Sequence, residues 1–214
     1  MIKVRFNLRT VVKIVAILAV TTMFSGCNKD DEEPPKNPLT YDEGVVINGV
    51  KWATRNVDEI GTFALTSESA GKFYQWNRKK AWAITGEVTG WDNSSDESTV
   101  WEKEKVPSPE GWRVPTSDEI KSLIEETKVN SEWINQNGII GRKFTDKSNG
   151  NSIFFPAFDD GVALRECSGK IGGTGQGAVY WGSTSPSVLI INADGSHSIS
   201  ISACYGFSLR PVSE

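Results

Sequence analysis

The stretch Pro109–Ile120, which reads PEGWRVPTSDEI, constrains the fold more than any other part of the chain. Gly111 permits a tight backbone turn at no steric cost, and Trp112 is a large apolar anchor that other side chains must cover. Thr116 and Glu119 have the spacing of a capping box, in which two side chains satisfy backbone N–H groups at a helix start. The stretch therefore predicts a turn, a short strand and the start of a helix.

Two helices and several short strands are predicted along the chain. The first helix spans residues 117–128, because apolar residues recur there at helical spacing. The second spans residues 131–137 and ends at Gly138, which has the position of a C′ glycine. Asn48-Gly49 and Asn149-Gly150 are dipeptides that favour hairpin turns. Strands are predicted at 45–47, 50–53, 142–145, 152–155, 179–183, 188–192, 198–201 and 205–212. Few helices, many short strands and long loops indicate the α+β class.

Residues 1–26 are predicted to be a lipoprotein signal peptide. They begin with a basic segment free of acidic residues, continue with an apolar run that is too short to span a bilayer, and end at Ser25-Gly26-Cys27. Cys27 would then carry the lipid and hold the protein on the outer membrane. The alternative is an N-terminal anchor helix that stays attached to the chain.

Removal of residues 1–26 makes the mature chain acidic. Lys and Arg fall from 23 to 19 while 27 Asp and Glu remain, which argues against a nucleic-acid partner. Residues 27–44 are predicted to be an acidic and proline-rich linker, and residues 45–214 the folded domain. The acidic run Asn28–Glu33, directly after Cys27, is either a plain tether or resembles the export signal that sends Bacteroidota-type lipoproteins to the cell exterior.

Two cysteines remain once Cys27 is assigned to the lipid. Cys167 and Cys204 can form one disulfide in an exported chain, or they can be two buried free thiols. They lack C-x-x-C spacing, which argues against redox or zinc chemistry.

Five motifs occur in the order found in the Fibrobacter succinogenes major paralogous domain, and the chain resembles that family over residues 45–212. The motifs are Trp52–Asn56, Gly71–Trp76, Pro109–Thr116, Tyr180–Thr184 and Gly206–Arg210. The resemblance implies a C-type-lectin-like fold, with two helices packed on small antiparallel sheets and with long loops. It also implies an exported or surface module without established enzymatic chemistry. Many family members carry paired cysteines at positions that hold Ser108 and Pro211 in this chain.

No residue pattern predicts catalysis, a cofactor or a metal. His197 is the only histidine and is placed in a turn, where no partner is predicted for a triad or a metal cluster. The glycine-rich segment 169–177 lacks the following helix that a phosphate-binding loop needs. Loop acids could offer oxygens to calcium, but the family pattern of a calcium-dependent sugar site is absent, and solvated acids are the simpler interpretation. These acids are Asp92, Asp96, Glu97, Asp159 and Asp160.

The long insert 85–106 is the first predicted binding surface. Trp91 and Trp101 could stack on a sugar ring or on a protein, or they could pin the insert to the body of the domain. The glycine-rich segment is the second choice and offers Gln176. Ligand contacts are expected in the loops between the motifs, because scaffold residues carry packing and long loops carry recognition.

The sequence thus predicts a surface-anchored, non-enzymatic binding or adhesion module. Its partner would be a glycan or a surface protein, recognised without a C-type calcium sugar site. The alternative is a structural or assembly component of a surface fibre or complex. An enzyme that acts on polysaccharide is a third possibility, which acidic pairs such as Asp159 and Asp160 are too common to support.

Overall fold

A computed structural model describes residues 35–158, 164–173 and 177–214, and the chain from Pro35 to Glu214 forms one compact unit. The described residues contain fourteen short strands, one α-helix, α1 (Ser117–Leu123), and one 3-10 helix (Lys103–Lys105). The strands are β1 (Val45–Ile47), β2 (Val50–Trp52), β3 (Tyr74–Gln75), β4 (Trp112–Arg113), β5 (Val129–Gln136), β6 (Ile139–Asp146), β7 (Ser152–Pro156), β8 (Leu164–Arg165), β9 (Ile171–Gly172), β10 (Gly177–Trp181), β11 (Ser187–Asn192), β12 (Gly195–Ser200), β13 (Gly206–Phe207) and β14 (Val212–Ser213).

The strands form four small sheets in which all paired strands are antiparallel. Their orders are β1-β2-β14-β4, β3-β13-β8-β9, β5-β6-β7 and β10-β11-β12. Strand β4, which comes from the Pro109–Ile120 stretch, lies at the edge of its sheet, so one side of its backbone faces away from β14.

The predicted α+β, C-type-lectin-like fold with two helices is wrong, because the described chain is mostly β and has a single α-helix. The predicted helix at 131–137 is strand β5, which pairs with β6 over its whole length. Asn137 and Gly138 have φ angles of 53° and 89° and form the two-residue turn of this hairpin. Gly138 therefore turns a hairpin and does not end a helix.

The helix start at Thr116 is confirmed, but the helix is shorter than predicted. The Thr116 hydroxyl accepts a hydrogen bond from the Glu119 N–H at 3.2 Å, and the Glu119 carboxylate accepts from the Thr116 N–H at 2.7 Å. Helix α1 ends at Leu123. Glu125 then turns the chain into β5, since its carbonyl accepts from the N–H groups of Lys128 and Val129.

The two predicted Asn-Gly hairpins are confirmed. Val45–Ile47 pairs with Val50–Trp52 across Asn48-Gly49, and β6 pairs with β7 across the turn that contains Gly150. The buried carboxylate of Asp146 joins these two turns, because it accepts from the Asn48 N–H at 2.8 Å and from the Ser148 N–H at 2.8 Å.

The β10–β11 pair separates two hydrophobic cores, because both faces of these strands are buried. Tyr180 faces a core formed by β2, α1 and the β6–β7 hairpin, whereas Trp181 faces a second core rich in tryptophan. In the second core the Trp181 ring lies 5.6 Å from Trp76 and 4.6 Å from Phe207. The centre of the molecule is therefore a sheet with apolar side chains on both sides, which is why β10 reads as a continuous apolar run.

Residues of two of the five sequence motifs, Trp52–Asn56 and Gly206–Arg210, meet in the interior. Arg210 is buried and donates from Nε to the Asn56 side-chain oxygen at 2.7 Å and from Nη1 to the Ala53 carbonyl at 3.2 Å. Its guanidinium lies 4.7 Å from the centre of the Phe155 ring. Burial lowers the pKa of Arg210 to about 10, which still leaves it charged at neutral pH. These motif residues form the scaffold.

A disulfide and the segment 35–44 complete the scaffold. Cys167 and Cys204 form a disulfide, so the alternative of two free thiols is excluded. The second half of the predicted linker, residues 35–44, belongs to the compact unit. Asp42 in this segment is buried and accepts hydrogen bonds from Gly44, Thr54 and Arg55. Cys27, the signal segment and the acidic run lie outside the described residues.

Candidate functional site

A cleft of about 710 Å³ runs along the edge strand β4 and separates it from the segment around the 3-10 helix. Most of its lining comes from one stretch of chain, residues 100–116. Ser183 and Glu214 complete it. The lining residues are Val100, Trp101, Lys103, Val106, Ser108, Pro109, Glu110, Gly111, Trp112, Arg113, Val114, Thr116, Ser183 and Glu214.

Trp101 and Trp112 contribute apolar surface to the lining of the cleft, but both rings are almost fully buried. Trp101 is 5% exposed, because its ring packs against Trp76 at 5.3 Å and its Nε1 donates to the Lys105 carbonyl at 3.1 Å. Trp112 is 9% exposed, with its ring edge-to-face against Phe63 at 5.7 Å. A ligand in the cleft can therefore contact only a small part of either ring.

Three of the four charged side chains that line the cleft are held in ion pairs. The Arg113 guanidinium donates to both carboxylate oxygens of Glu119, at 2.6 and 2.8 Å. Burial alone would raise the pKa of Glu119, but the hydrogen bonds from Arg113 and Thr116 outweigh it and hold the pKa below its ordinary value. Lys103 and Glu214 form the other ion pair, with the Lys103 ammonium 3.4 Å from the Glu214 carboxylate. The helix cap and the cleft thus share Glu119.

Ser108 places a hydroxyl on the lining of the cleft that has no hydrogen-bond partner among the described residues, although the oxygen is buried. A buried hydroxyl without a partner costs free energy that a ligand can recover by bonding to it. This position is one of the two at which many members of the resembling family carry cysteine.

Trp91 occupies a separate site, which we call the Trp91 slot and define as Trp91 with Gly169 and Gly206. A Cβ atom at Gly206 would lie 2.5 Å from Cη2 of Trp91, and one at Gly169 would lie 2.8 Å from its Cβ. The ring is half-buried and lies 4.8 Å from the Trp82 ring. Only glycine leaves room for Trp91 at both walls.

The slot is closed by two further features. The Cys167–Cys204 disulfide lies two residues from each of the slot glycines along the chain. The buried Arg165 donates to the Gly169 carbonyl at 2.7 Å and to the Ala83 carbonyl at 2.7 Å, and it also reaches the carbonyls of Thr85 and Gly86. Arg165 thereby fixes the start of the insert on the body. Sequence reasoning missed this residue, because an arginine in a two-residue strand carries no recognisable pattern.

The structure therefore does not bring the predicted binding residues together. Trp101 lines the cleft but is mostly buried, Trp91 fills its own slot, and Gln176 lies outside the described residues. The cleft also runs along the motif Pro109–Thr116, whereas contacts were expected in the loops between the motifs. A comparison with protein-family models, curated proteins and solved structures finds no match to this chain.

The remaining candidate groups are dispersed. His197 lies on β12, opposite Ile190, and is absent from the cleft lining. Asp92 and Asp96 accept hydrogen bonds from the N–H groups of Ser94 and Ser98, and Asp159 and Asp160 lie outside the described residues. Over the described ranges, no group of three or more His, Cys, Asp or Glu side chains is placed to hold a metal ion. No helix in those ranges is long and apolar enough to span a bilayer.

Proposed function

We propose that this protein is a surface-anchored, non-enzymatic binding module that holds its ligand in the cleft along β4. The lipid on Cys27 would anchor it to the outer membrane, with the domain exposed at the cell surface. The ligand would be a glycan or a protein, recognised without a calcium sugar site. The order of the five motifs and the lipoprotein-type N-terminus support this proposal.

The observation that carries the proposal is the buried, unpartnered Ser108 hydroxyl on the lining of an open cleft. The cleft volume lies in the range of ligand-binding pockets in other proteins, and its lining combines apolar walls with a few polar groups. These are the properties of a site that selects a ligand by shape and by a small number of hydrogen bonds.

A second candidate function, an assembly component of a surface fibre or complex, is favoured by the edge position of β4. An edge strand can accept a strand from another protein, because its outer backbone groups are unpaired within the sheet. Such a partner would approach through the same cleft.

A binding screen with the soluble chain 28–214 tests the proposal. We expect binding on a glycan array or on a peptide array, and a ligand affinity about tenfold weaker for Ser108→Ala because one hydrogen bond is lost. Ser200→Ala, an exposed serine on β12, is the matched control and should bind like the wild type. Unchanged affinity in Ser108→Ala would remove the cleft as the site. Binding to neither array would contradict the function itself.

Fractionation of cells that produce the full chain tests the anchor. Cys27→Ser should release the protein from the membrane fraction, because no acyl chain can be attached. Replacement of Asp30–Glu33 by alanine should leave the protein membrane-bound but protect it from protease added outside the cells. If protease sensitivity is unchanged, the acidic run is only a tether.

A further inference from the structure

Four of the large apolar side chains that are exposed in the described residues lie close together where the compact unit begins. They are Leu39, Tyr41, Ile60 and Leu65, and we call them the entry face. Leu65 is 75% exposed and Ile60 is 53% exposed, so neither contributes its side chain to either core. Exposed apolar side chains that cluster in this way mark an interaction surface more often than apolar side chains that are scattered singly over the surface.

Hydrogen bonds from Arg55 hold three members of the entry face next to one another. The Arg55 guanidinium donates to the Pro38 carbonyl at 2.7 Å, to the Ala64 carbonyl at 3.1 Å and to the Tyr41 carbonyl. Leu39 follows Pro38 and Leu65 follows Ala64, so the backbone at both leucines and at Tyr41 is held near the same guanidinium.

A second set of backbone bonds joins the turn of Ile60 to this group. The Phe63 N–H donates to the Leu39 carbonyl at 2.7 Å. Ile60 lies three residues earlier, in a tight turn in which the Thr62 N–H donates to the Glu59 carbonyl at 2.9 Å. The entry face is therefore built from two segments, 38–41 and 59–65, that are fixed side by side.

Two of the carboxylates beside the entry face are paired with cations. Asp42 accepts from Arg55 at 3.0 Å, and Glu59 lies 3.3 Å from Lys72. The Lys36 ammonium lies 4.4 Å from the centre of the Tyr41 ring, with its charge beside an aromatic side chain. Paired charges and a lysine–tyrosine contact next to exposed leucines are typical of side chains that sit at a membrane–water interface.

The length of the chain between Cys27 and Pro35 identifies the partner. Seven residues separate them, and a fully extended chain of that length spans about 28 Å at most. A lipid on Cys27 would therefore keep the first residues of the compact unit within that distance of the bilayer. A soluble partner has no such enforced proximity, so the surface most often presented to the entry face is the membrane itself.

We infer that the entry face docks on the lipid surface that holds the Cys27 anchor. This inference rests on the proposed lipid anchoring. Leu39, Ile60 and Leu65 enter the interface between headgroups and acyl chains, while Tyr41 and Lys36 lie at headgroup level. One acyl anchor and one apolar face together hold the domain in a fixed orientation.

The experiment attaches the chain to a membrane without using the cell's lipidation. The chain 27–214 is coupled through Cys27 to a maleimide lipid in phosphatidylcholine vesicles, and amide hydrogen exchange is compared with that of the uncoupled chain. Cys167 and Cys204 do not compete for the maleimide, since they are bonded to each other. We expect slower exchange in segments 36–41 and 58–66 of the coupled chain, and unchanged exchange around Val100 and Ile199.

Two double variants provide the decisive comparison. Ile60→Asp with Leu65→Asp should abolish the slowing, whereas Ile171→Asp with Ile199→Asp, which changes exposed residues outside the entry face and the cleft, should retain it. No slowing in the coupled wild type would overturn the inference and leave a soluble protein as the occupant. Equal slowing in both double variants would also overturn it. Because the coupling is chemical, failure of the lipidation proposal appears separately, as an unmodified Cys27 in cell-derived protein.

Discussion

The cleft and the Trp91 slot each contain a tryptophan of the insert 85–106, but only the slot is filled by the protein's own ring. In the slot, a Cβ atom at Gly206 would collide with Trp91 at 2.5 Å, which shows how closely the ring and the backbone approach. In the cleft, the mostly buried Trp101 borders about 710 Å³ of open space. One tryptophan of the insert therefore fills a closed site, whereas the other borders an open one.

This difference indicates that one loop has a part with a structural role, around Trp91, and a part that is available for ligand recognition, around Trp101. The slot is fixed by a disulfide and by Arg165, whose hydrogen bonds go only to backbone carbonyls. The cleft instead has an unpartnered hydroxyl and an edge strand, which are groups that another molecule can satisfy. A long loop on a rigid frame therefore need not be a binding loop throughout its length.

The largest expected effect comes from removal of the slot ring. Trp91→Ala should lower the free energy of unfolding by about 3 kcal/mol, the cost of truncating a packed aromatic side chain, and leave ligand affinity unchanged. Trp101→Ala should destabilise by a similar amount but also weaken binding, because Trp101 lines the cleft. Urea unfolding and ligand titration of both variants measure the two quantities independently.

Trp91→Phe serves as the control, since it keeps an aromatic ring in the slot. It should recover much of the lost stability. If Trp91→Ala unfolds like the wild type but binds ligand poorly, the slot and not the cleft is the recognition site, and the comparison is reversed.

Loss of the disulfide should have an effect of similar size and should loosen the slot more than the cleft. Replacing both Cys167 and Cys204 by serine removes a cross-link between residues 37 positions apart, which should lower the free energy of unfolding by about 3 kcal/mol. Amide exchange should become faster by a larger factor around Trp91 and Gly169 than along residues 108–114. Equal acceleration in both regions would mean that they unfold together.

Local features of the fold could be predicted from sequence because they depend on neighbouring residues. The capping box of Thr116 and Glu119 and the Asn48-Gly49 hairpin each need only four residues or fewer to form. Gly138 in a C′ position predicts a helix over 131–137, but the same glycine preceded by Asn137 also fits a two-residue hairpin turn, which the chain adopts. Pairing of β5 with β6 then decided the conformation.

The candidate site could not be predicted, because distant segments complete it. Ser183 and Glu214 join the 100–116 stretch only after the sheets assemble, and Trp101 is covered by Trp76 and Trp181 from elsewhere in the chain. The sequence suggested that tryptophans in the insert could either stack on a ligand or pin the loop. Only the packing of their neighbours distinguishes these roles.

Acidic pH should destabilise the cleft side of the molecule, because Glu119 becomes protonated and its bonds to Arg113 and Thr116 weaken. Its pKa is lower in the folded chain than its ordinary value, so it contributes stability that is complete above about pH 5 and is lost as the pH falls through the lowered pKa. We expect Glu119→Gln to melt below the wild type near neutral pH and the two melting curves to converge in acid. A gap that persists below about pH 2 would show that Glu119 acts by packing and not by charge.

The smallest effect tests how strongly the helix cap supports the cleft. Thr116 lines the cleft and caps α1, and its hydroxyl accepts from the Glu119 N–H at 3.2 Å. Thr116→Ala removes this acceptor and should lower the free energy of unfolding by about 1 kcal/mol, the usual cost of losing an N-cap side chain. Thr116→Ser keeps the hydroxyl, and its free energy of unfolding should lie within a few tenths of 1 kcal/mol of the wild type.

Because Glu119 also holds Arg113, a frayed cap should loosen the cleft, and Thr116→Ala should bind ligand more weakly than Thr116→Ser. The Trp91 slot shares no contact with this cap, so its exchange rates should be equal in both variants. If the slot exchanges faster in Thr116→Ala, the cap stabilises the whole domain and the two regions are not independent.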